Sequence, residues 1–136
     1  MRTVKDIEAY LAGLNRQYTH VEDEPGTYLI HSSGNMPPIA LRVDPPLVIV
    51  RVHVGDVAPS KEGANETALF RKLLQLNAKM LVHASFGLED DRIVLSSALE
   101  LENLDFNEIE ATLDEIDMTL AQQVPILAEL SKKQGK

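Results

Sequence analysis

Apolar residues recur three and four positions apart at Val4, Ile7, Leu11 and Leu14, behind a threonine at position 3 that can cap a helix start. This pattern predicts an amphipathic helix ending near residues 15–17. The period then changes to two. Tyr18 to Glu22 alternates in part, and Glu24-Pro25-Gly26-Thr27 has proline and glycine at the two central positions that a type II turn favours. Tyr28 to His31 follows as the return strand of a hairpin. Ser32-Ser33-Gly34-Asn35 and Pro37-Pro38 supply loop chemistry. Ile39 to Val43 and Leu47 to Val54 are two further β-rich runs, separated by Asp44-Pro45-Pro46, which is too stiff and donor-poor to lie inside a sheet. In the second run Val48, Val50, Val52 and Val54 share one face, while Leu47, Ile49, Arg51 and His53 share the other. A strand that turns polar on one side along its length is expected to be central at its start and half exposed at its end.

Gly55 to Gly63 reads as the longest connection. The helix after it, Ala68 to Asn77, carries Leu69, Leu73 and Leu76 with Phe70 and Leu74 beside them, an apolar surface broad enough to predict the most buried helix. Val82, Ala84, Phe86 and Leu88 then alternate with polar or small residues, Asp90-Asp91 allows a tight reversal, and Arg92 to Leu99 completes a second hairpin. Asp105 followed by Glu108 resembles a capping box, and Ile109, Leu113, Ile116 and Leu120 form the seam of an acidic helix. Pro125 is expected to kink or end it, with helix resuming over 126–130 and a frayed tail over 132–136. The predicted fold class is α+β, with helices packed on one twisted, mainly antiparallel β-sheet in the order α-β-β-β-(β)-α-β-β-α. A single domain over 1–136 is expected: an N-terminal helix (1–17), a β-rich half (18–54), and a helix, hairpin and acidic helix (65–124).

Composition narrows the function. A chain of 136 residues with 44% apolar residues can build a core without staples, and the absence of cysteine removes disulfides, thiolate chemistry and cysteine-based zinc sites. The N-terminal residues lack the apolar core of a signal peptide, and no stretch reads as a bilayer span, so a soluble cytoplasmic protein without membrane contact is expected. The net charge is −8, and no lysine or arginine occurs from Ile93 to Ser131, where Glu100, Glu102, Asp105, Glu108, Glu110, Asp114, Glu115, Asp117 and Glu129 fall. Such a field repels phosphate polyanions, which argues against nucleic acid as a ligand. The acidic run reads first as a solvated helix face and second as a docking surface for a basic partner.

Candidate chemistry is sparse. His20, His31, His53 and His83 fall on or beside predicted strands without a close-spaced ligand partner, so they read as polar strand positions and no metal or cofactor is expected. Ser32-Ser33-Gly34 and Ser96-Ser97 lack a nucleophile elbow, Gly55 to Gly63 lacks the ending of a phosphate loop, and Asp90-Asp91 sits at a wet hairpin tip. No set of catalytic residues converges, and the chain is not expected to be an enzyme.

The run from Phe70 to Leu81 (FRKLLQLNAKML), the hairpin Phe86-Gly-Leu-Glu-Asp-Asp-Arg-Ile-Val-Leu, and Leu104-Asp-Phe before an acidic helix resemble the YbjN-like and CesT-like (Tir chaperone) group, which shares the type III secretion chaperone fold. Tyr28-Leu-Ile-His-Ser-Ser-Gly and Leu41-Arg-Val agree with that likeness. The resemblance implies helices against an antiparallel sheet, a homodimer, and no catalytic residues to transfer; some relatives bind extended segments of secreted effectors. The expected function is therefore a non-catalytic module that binds a protein or peptide partner by strand addition or apolar pockets. The alternatives are a small-ligand or metal-responsive sensory regulator, or an uncharacterised enzyme. The apolar surplus places the candidate partner-binding residues at Phe70, Leu74, Leu81, Met118, Val124 and Leu127, with the last strand or the Ala68 to Asn77 helix as the expected two-fold interface.

Overall fold

A computed structural model describes residues 1–32, 36–57 and 66–134, with side chains through Leu130. Among these residues, three helices and six strands follow one another as α1 (Val4–Gly13), β1 (Tyr18–His20), β2 (Thr27–Ile30), β3 (Ile39–Asp44), β4 (Leu47–Asp56), α2 (Glu66–Lys79), β5 (Ser85–Glu89), β6 (Arg92–Glu100) and α3 (Phe106–Gln134). The strands form one antiparallel sheet in the order β1-β2-β3-β4-β6-β5, so β1 and β5 are its edges. This is the predicted α+β arrangement, with all four strands present between α1 and α2.

Cross-strand partners share a face, and the register aligns Tyr28, Leu41, Val50 and Ser97 across the sheet. All four are buried, as are Ile30, Ile39, Val48, Val52 and Leu95 on the same side. The opposite side carries exposed Arg42, Arg51 and His53. The helices lie over the valine face: α1 contributes Ile7 and Leu11, α2 Leu69, Leu73 and Leu76, and α3 Ile109, Leu113, Ile116 and Leu120 to one core. Each fully buried side chain of this size is worth roughly 1.5–3 kcal/mol relative to exposure, so the alternation along β4 commits its register.

Local signals explain the ends of the elements. Asp6 reaches back to accept from the Thr3 N–H at 2.8 Å, and the first helix stops at Gly13, earlier than expected, because Leu14 is extended and its N–H returns to the Leu11 carbonyl. A side chain at Gly13 would meet the Phe106 ring at 3.3 Å, so this glycine lets α1 approach the start of α3. Arg2 and the Tyr10 hydroxyl both donate to the Leu104 carbonyl at 2.9 Å and fix the same junction. The Glu24–Thr27 turn forms as predicted: Thr27 N–H donates to the Glu24 carbonyl and Gly26 has φ +80°. Pro45 and Pro46, joined by a cis peptide, make the two-residue turn closing the Asp44–Leu47 pair. Residues 33–35 of the expected loop, and 58–63 of the expected long connection, lie outside the described residues.

Three expectations are corrected. Helix α2 is not the most buried helix, because it lies beside edge strand β5 and only its Leu69, Leu73 and Leu76 stripe is covered, whereas α3 also buries Thr112, Thr119, Gln123 and Leu127. The strand predicted over Leu81 to Glu89 begins only at Ser85, because the N–H groups of residues 82–84 turn toward Glu115 on α3. Helix α3 does not end at Pro125 but runs to Gln134. Pro125 and Ala121 are both exposed, so the carbonyl that loses its donor faces water, while Leu120 and Leu127 on the other side of the helix stay buried.

Candidate partner-binding surface

The apolar surplus of α2 is real and lies on one side. Phe70 is half-buried and Leu74 is 68% exposed; with Leu73, Phe86 and the 51% exposed Leu88 of β5 they line a groove of about 230 Å³. A second, shallower hollow of about 510 Å³ continues along the outer face of α2 past Arg71 and Ala78. The sequence spaces Leu73 and Leu74 one residue apart, which on a helix is a turn of about 100°: one enters the core and its neighbour faces out.

Beside this groove the edge of β5 is largely closed by side chains. A two-residue turn joins Glu89 to Arg92, so Glu89 and Gly87 exchange hydrogen bonds with β6 and the alternate residues Phe86 and Leu88 turn their backbone groups outward. The Asn77 amide takes both groups of Phe86, donating to its carbonyl at 3.1 Å and accepting from its N–H at 2.7 Å. Glu115 accepts the N–H groups of Val82, His83 and Ala84 at 2.8–2.9 Å. Burial raises the Glu115 carboxyl, but the three backbone N–H bonds outweigh it and leave the group below its ordinary value. The Ser97 hydroxyl donates to the His83 carbonyl at 2.7 Å, which completes the clamp on this segment.

The other predicted contact residues do not join the groove. Met118 is exposed on α3, and Leu81 is half-buried in the turn after α2. Val124 and Leu127 border a small hollow of about 130 Å³ with Val54 and Ile93 at the bulged end of β4. Leu127 is 4% exposed and belongs to the core, because α3 continues through Pro125 and keeps the heptad-like spacing from Leu120. Val82, the first apolar residue of the alternating series that continues through Ala84, Phe86 and Leu88, is 81% exposed, and its N–H bonds Glu115 instead of a neighbouring strand.

The acidic surface of α3 has its own structure. Arg16, after α1, donates to Asp117 and to Asp114 at 2.8 Å, and Ser32 donates to the other Asp117 oxygen at 3.1 Å. Desolvation lowers the Arg16 pKa, but its two carboxylate partners outweigh that effect and raise it. These residues, with Glu110 and His31, line a polar cleft of about 460 Å³. On the other flank of α1, buried Tyr28 donates its hydroxyl to Glu8 at 2.6 Å; burial first and the Glu8 carboxylate second raise its pKa.

The four histidines are dispersed. His20 lies against the Tyr28 ring with centroids 5.2 Å apart, His53 pairs with Asp56 at 2.9 Å, His31 borders the acidic cleft, and His83 precedes β5. Among the described residues no group of three or more histidine, aspartate or glutamate side chains is placed to hold a metal ion. No described helix is long and apolar enough to cross a membrane.

A six-stranded antiparallel sheet covered by three helices in this order defines an α+β protein of the type III secretion chaperone fold. The chain belongs to the CesT_Tir_1 family, whose model matches residues 1–133. Three solved structures share the fold. A chain of the heterodimeric ExoU–SpcU complex from the type III secretion system of Pseudomonas aeruginosa aligns with a TM-score of 0.67 at 18% identity, covering 88% of this chain and 95% of its own. YbjN from E. coli aligns with a TM-score of 0.64 at 13% identity, over 88% of this chain and 89% of its own. A chain of the HopA1–SchA chaperone-effector complex aligns with a TM-score of 0.57 at 14% identity, over 89% and 88%. A search of the curated proteins found no match.

Proposed function

We propose that this chain is a non-catalytic protein-binding chaperone that acts as a homodimer and holds a protein or peptide partner. Membership of the CesT_Tir_1 family and likeness to chains from a secretion-system complex and a chaperone-effector complex support the protein-binding part. The observation that carries the dimer is the outward apolar face of α2. If two copies of this helix cross antiparallel with Leu74 on the two-fold axis, Phe70 of one copy falls opposite Ala78 of the other, a large ring against a small side chain, and Leu74 meets its own equivalent. The dimer withdraws from water the side chains that α2 leaves exposed. Beside this face the Phe86 backbone groups are already taken by the Asn77 amide.

Light scattering tests the assembly. The wild-type chain is expected at twice its 15.1 kDa mass, and Leu74→Asp at the mass of one chain with unchanged circular dichroism. Wild type at one chain mass over a wide concentration range removes the dimer. For the partner, a pull-down from native lysate with wild type against a Phe70→Asp control is expected to retain a protein that the variant loses.

A further inference from the structure

The three helices cover one face of the sheet, and among the described residues the other face carries no helix. Strand alternation turns Thr27 and Leu29, Ala40 and Arg42, and Ile49 and Arg51 to that open face. The register sets them in two rows, one of Thr27, Arg42 and Ile49 and the next of Leu29, Ala40 and Arg51. Ala40 has the shortest side chain of the six. Where it falls short there is a hollow of about 260 Å³, lined by Glu24, Thr27, Ala40, Arg42, Ile49 and Arg51.

The polar groups around this hollow are donors. Arg42 and Arg51 are diagonal neighbours on adjacent strands, close enough for two long side chains to reach one point between them. Arg42 pairs with Asp44 at 3.5 Å and Arg51 with Glu89 at 3.2 Å, but both carboxylates lie outside the lining and both pairs are about half exposed. Exposed pairs of this kind are weak, so either guanidinium can exchange its partner for a ligand. Thr27 is 9% exposed, and its hydroxyl makes no hydrogen bond among the described residues. Two guanidinium forks and a hydroxyl suit an oxyanion. Charge and surface then narrow the class. Two arginines against Glu24 leave a surplus of one positive charge in the lining, which matches a monoanion and not a phosphate dianion. Ala40 and Ile49 add apolar surface that a bare inorganic ion would leave unused.

We propose that this hollow binds a small monocarboxylate, with the carboxylate between Arg42, Arg51 and the Thr27 hydroxyl and a body of a few carbons resting on Ala40 and Ile49. The site goes beyond the partner-binding reading and does not depend on it. It lies on the sheet face that the helices leave open, away from the α2 surface assigned to the second copy.

The test is an NMR titration of the full-length protein with sodium butyrate, sodium acetate and inorganic phosphate at pH 7 and constant ionic strength. Butyrate is expected to give saturable shifts at the amides of Thr27, Ala40 and Ile49 and at the Nε–H groups of Arg42 and Arg51. It is expected to bind about threefold to tenfold more tightly than acetate, as two further buried methylene groups require. Arg42→Gln and Arg51→Gln are each expected to weaken butyrate about fivefold or more, and Thr27→Val about threefold. Ala40→Leu fills the hollow while keeping both arginines, and is expected to abolish saturation. Arg71→Gln, on α2 and outside the lining, is expected to change nothing. Phosphate binding as tightly as butyrate shows an adventitious ion only and overturns the proposal. Equal affinity for acetate and butyrate, undiminished binding by Ala40→Leu, or shifts confined to other residues overturn it as well. None of these results alters the chain mass in light scattering or the pull-down, so this site and the partner-binding reading fail separately.

Discussion

The Asn77 side chain bonds both backbone groups of Phe86, at 2.7 and 3.1 Å, as a neighbouring strand would. One amide therefore stands in for a seventh strand at the β5 edge. Sheet edges with unpaired backbone groups recruit other chains, and β5 runs beside the most exposed apolar side chains of the molecule. Closing it with a side chain from α2 also ties that helix to the sheet, so edge protection and helix docking are the same contact.

Replacing Asn77 with alanine leaves the Phe86 N–H and C=O without partners. The cost is expected at about 1–3 kcal/mol, seen as a lower midpoint in urea denaturation. The variant is also expected to form larger, thioflavin-positive species on heating, which the wild type does not. Asn77→Asp keeps the acceptor but sets a carboxylate against the Phe86 carbonyl; it should be at least as destabilised as alanine. A variant as stable and as soluble as wild type would show that the amide protects nothing.

Glu115 gives the segment before β5 a pH dependence whose sign is fixed by its lowered pKa. The carboxylate binds its proton less readily in the folded chain than in the unfolded one, where its ordinary value is 4.5. Its stabilising contribution is thus complete above that value and is lost as pH falls through the lower folded-state value. The gap in melting temperature between wild type and Glu115→Gln should be constant near neutral pH and close progressively below about pH 4.5. Amide protection factors at Val82, His83 and Ala84, taken relative to the intrinsic exchange rate at each pH, should fall over the same range. A gap that widens on acidification is the opposite of what this geometry requires.

Much of the architecture could be read from the chain because period and burial agree there. The Val48, Val50, Val52 series, the Glu24–Thr27 turn and the Ile109–Leu120 seam each repeat one physical signal several times. The errors fall where a single long-range contact decides. Nothing local distinguishes Leu74 from Leu73, and only the position of α2 at the end of the sheet leaves one of them uncovered. Glu115 sits among acids spaced like any solvated face, yet its partners are backbone groups more than thirty residues away in sequence. Asn77 is a polar position at the end of an apolar helix stripe; its role depends on where β5 lies, which no spacing encodes. Hydrophobicity alone does not separate a groove residue from a core residue: Phe70 and Leu74 line a groove, whereas Leu127 is 4% exposed.

Pro125 lies within α3 on its exposed side. Proline in a helix interior costs about 3 kcal/mol against alanine, part of which is already met by the outward-facing carbonyl and the buried side chains around it. Pro125→Ala should restore the bond to the Ala121 carbonyl, raise stability by about 1–3 kcal/mol and increase helical ellipticity. A loss of stability would mean that the fixed backbone geometry of this proline is what seats Leu127 in the core.

Gln123 is buried on the face of α3 that meets the end of α2. Its amide nitrogen contacts the Met80 sulfur at 3.9 Å, and its Oε1 has no hydrogen-bond partner among the described residues. A sulfur is a weak acceptor, so this amide is desolvated with little in return, and a buried unsatisfied polar atom costs about 1–3 kcal/mol. Gln123→Met keeps the length and volume and removes both polar atoms; it should raise the urea midpoint without changing the slope of the transition. Gln123→Ala, which removes the same polar atoms but opens a cavity beside Met80, should lower it. If Met lowers stability as Ala does, the amide must be making a bond that this packing does not show, and the junction of α2 with α3 is polar by design.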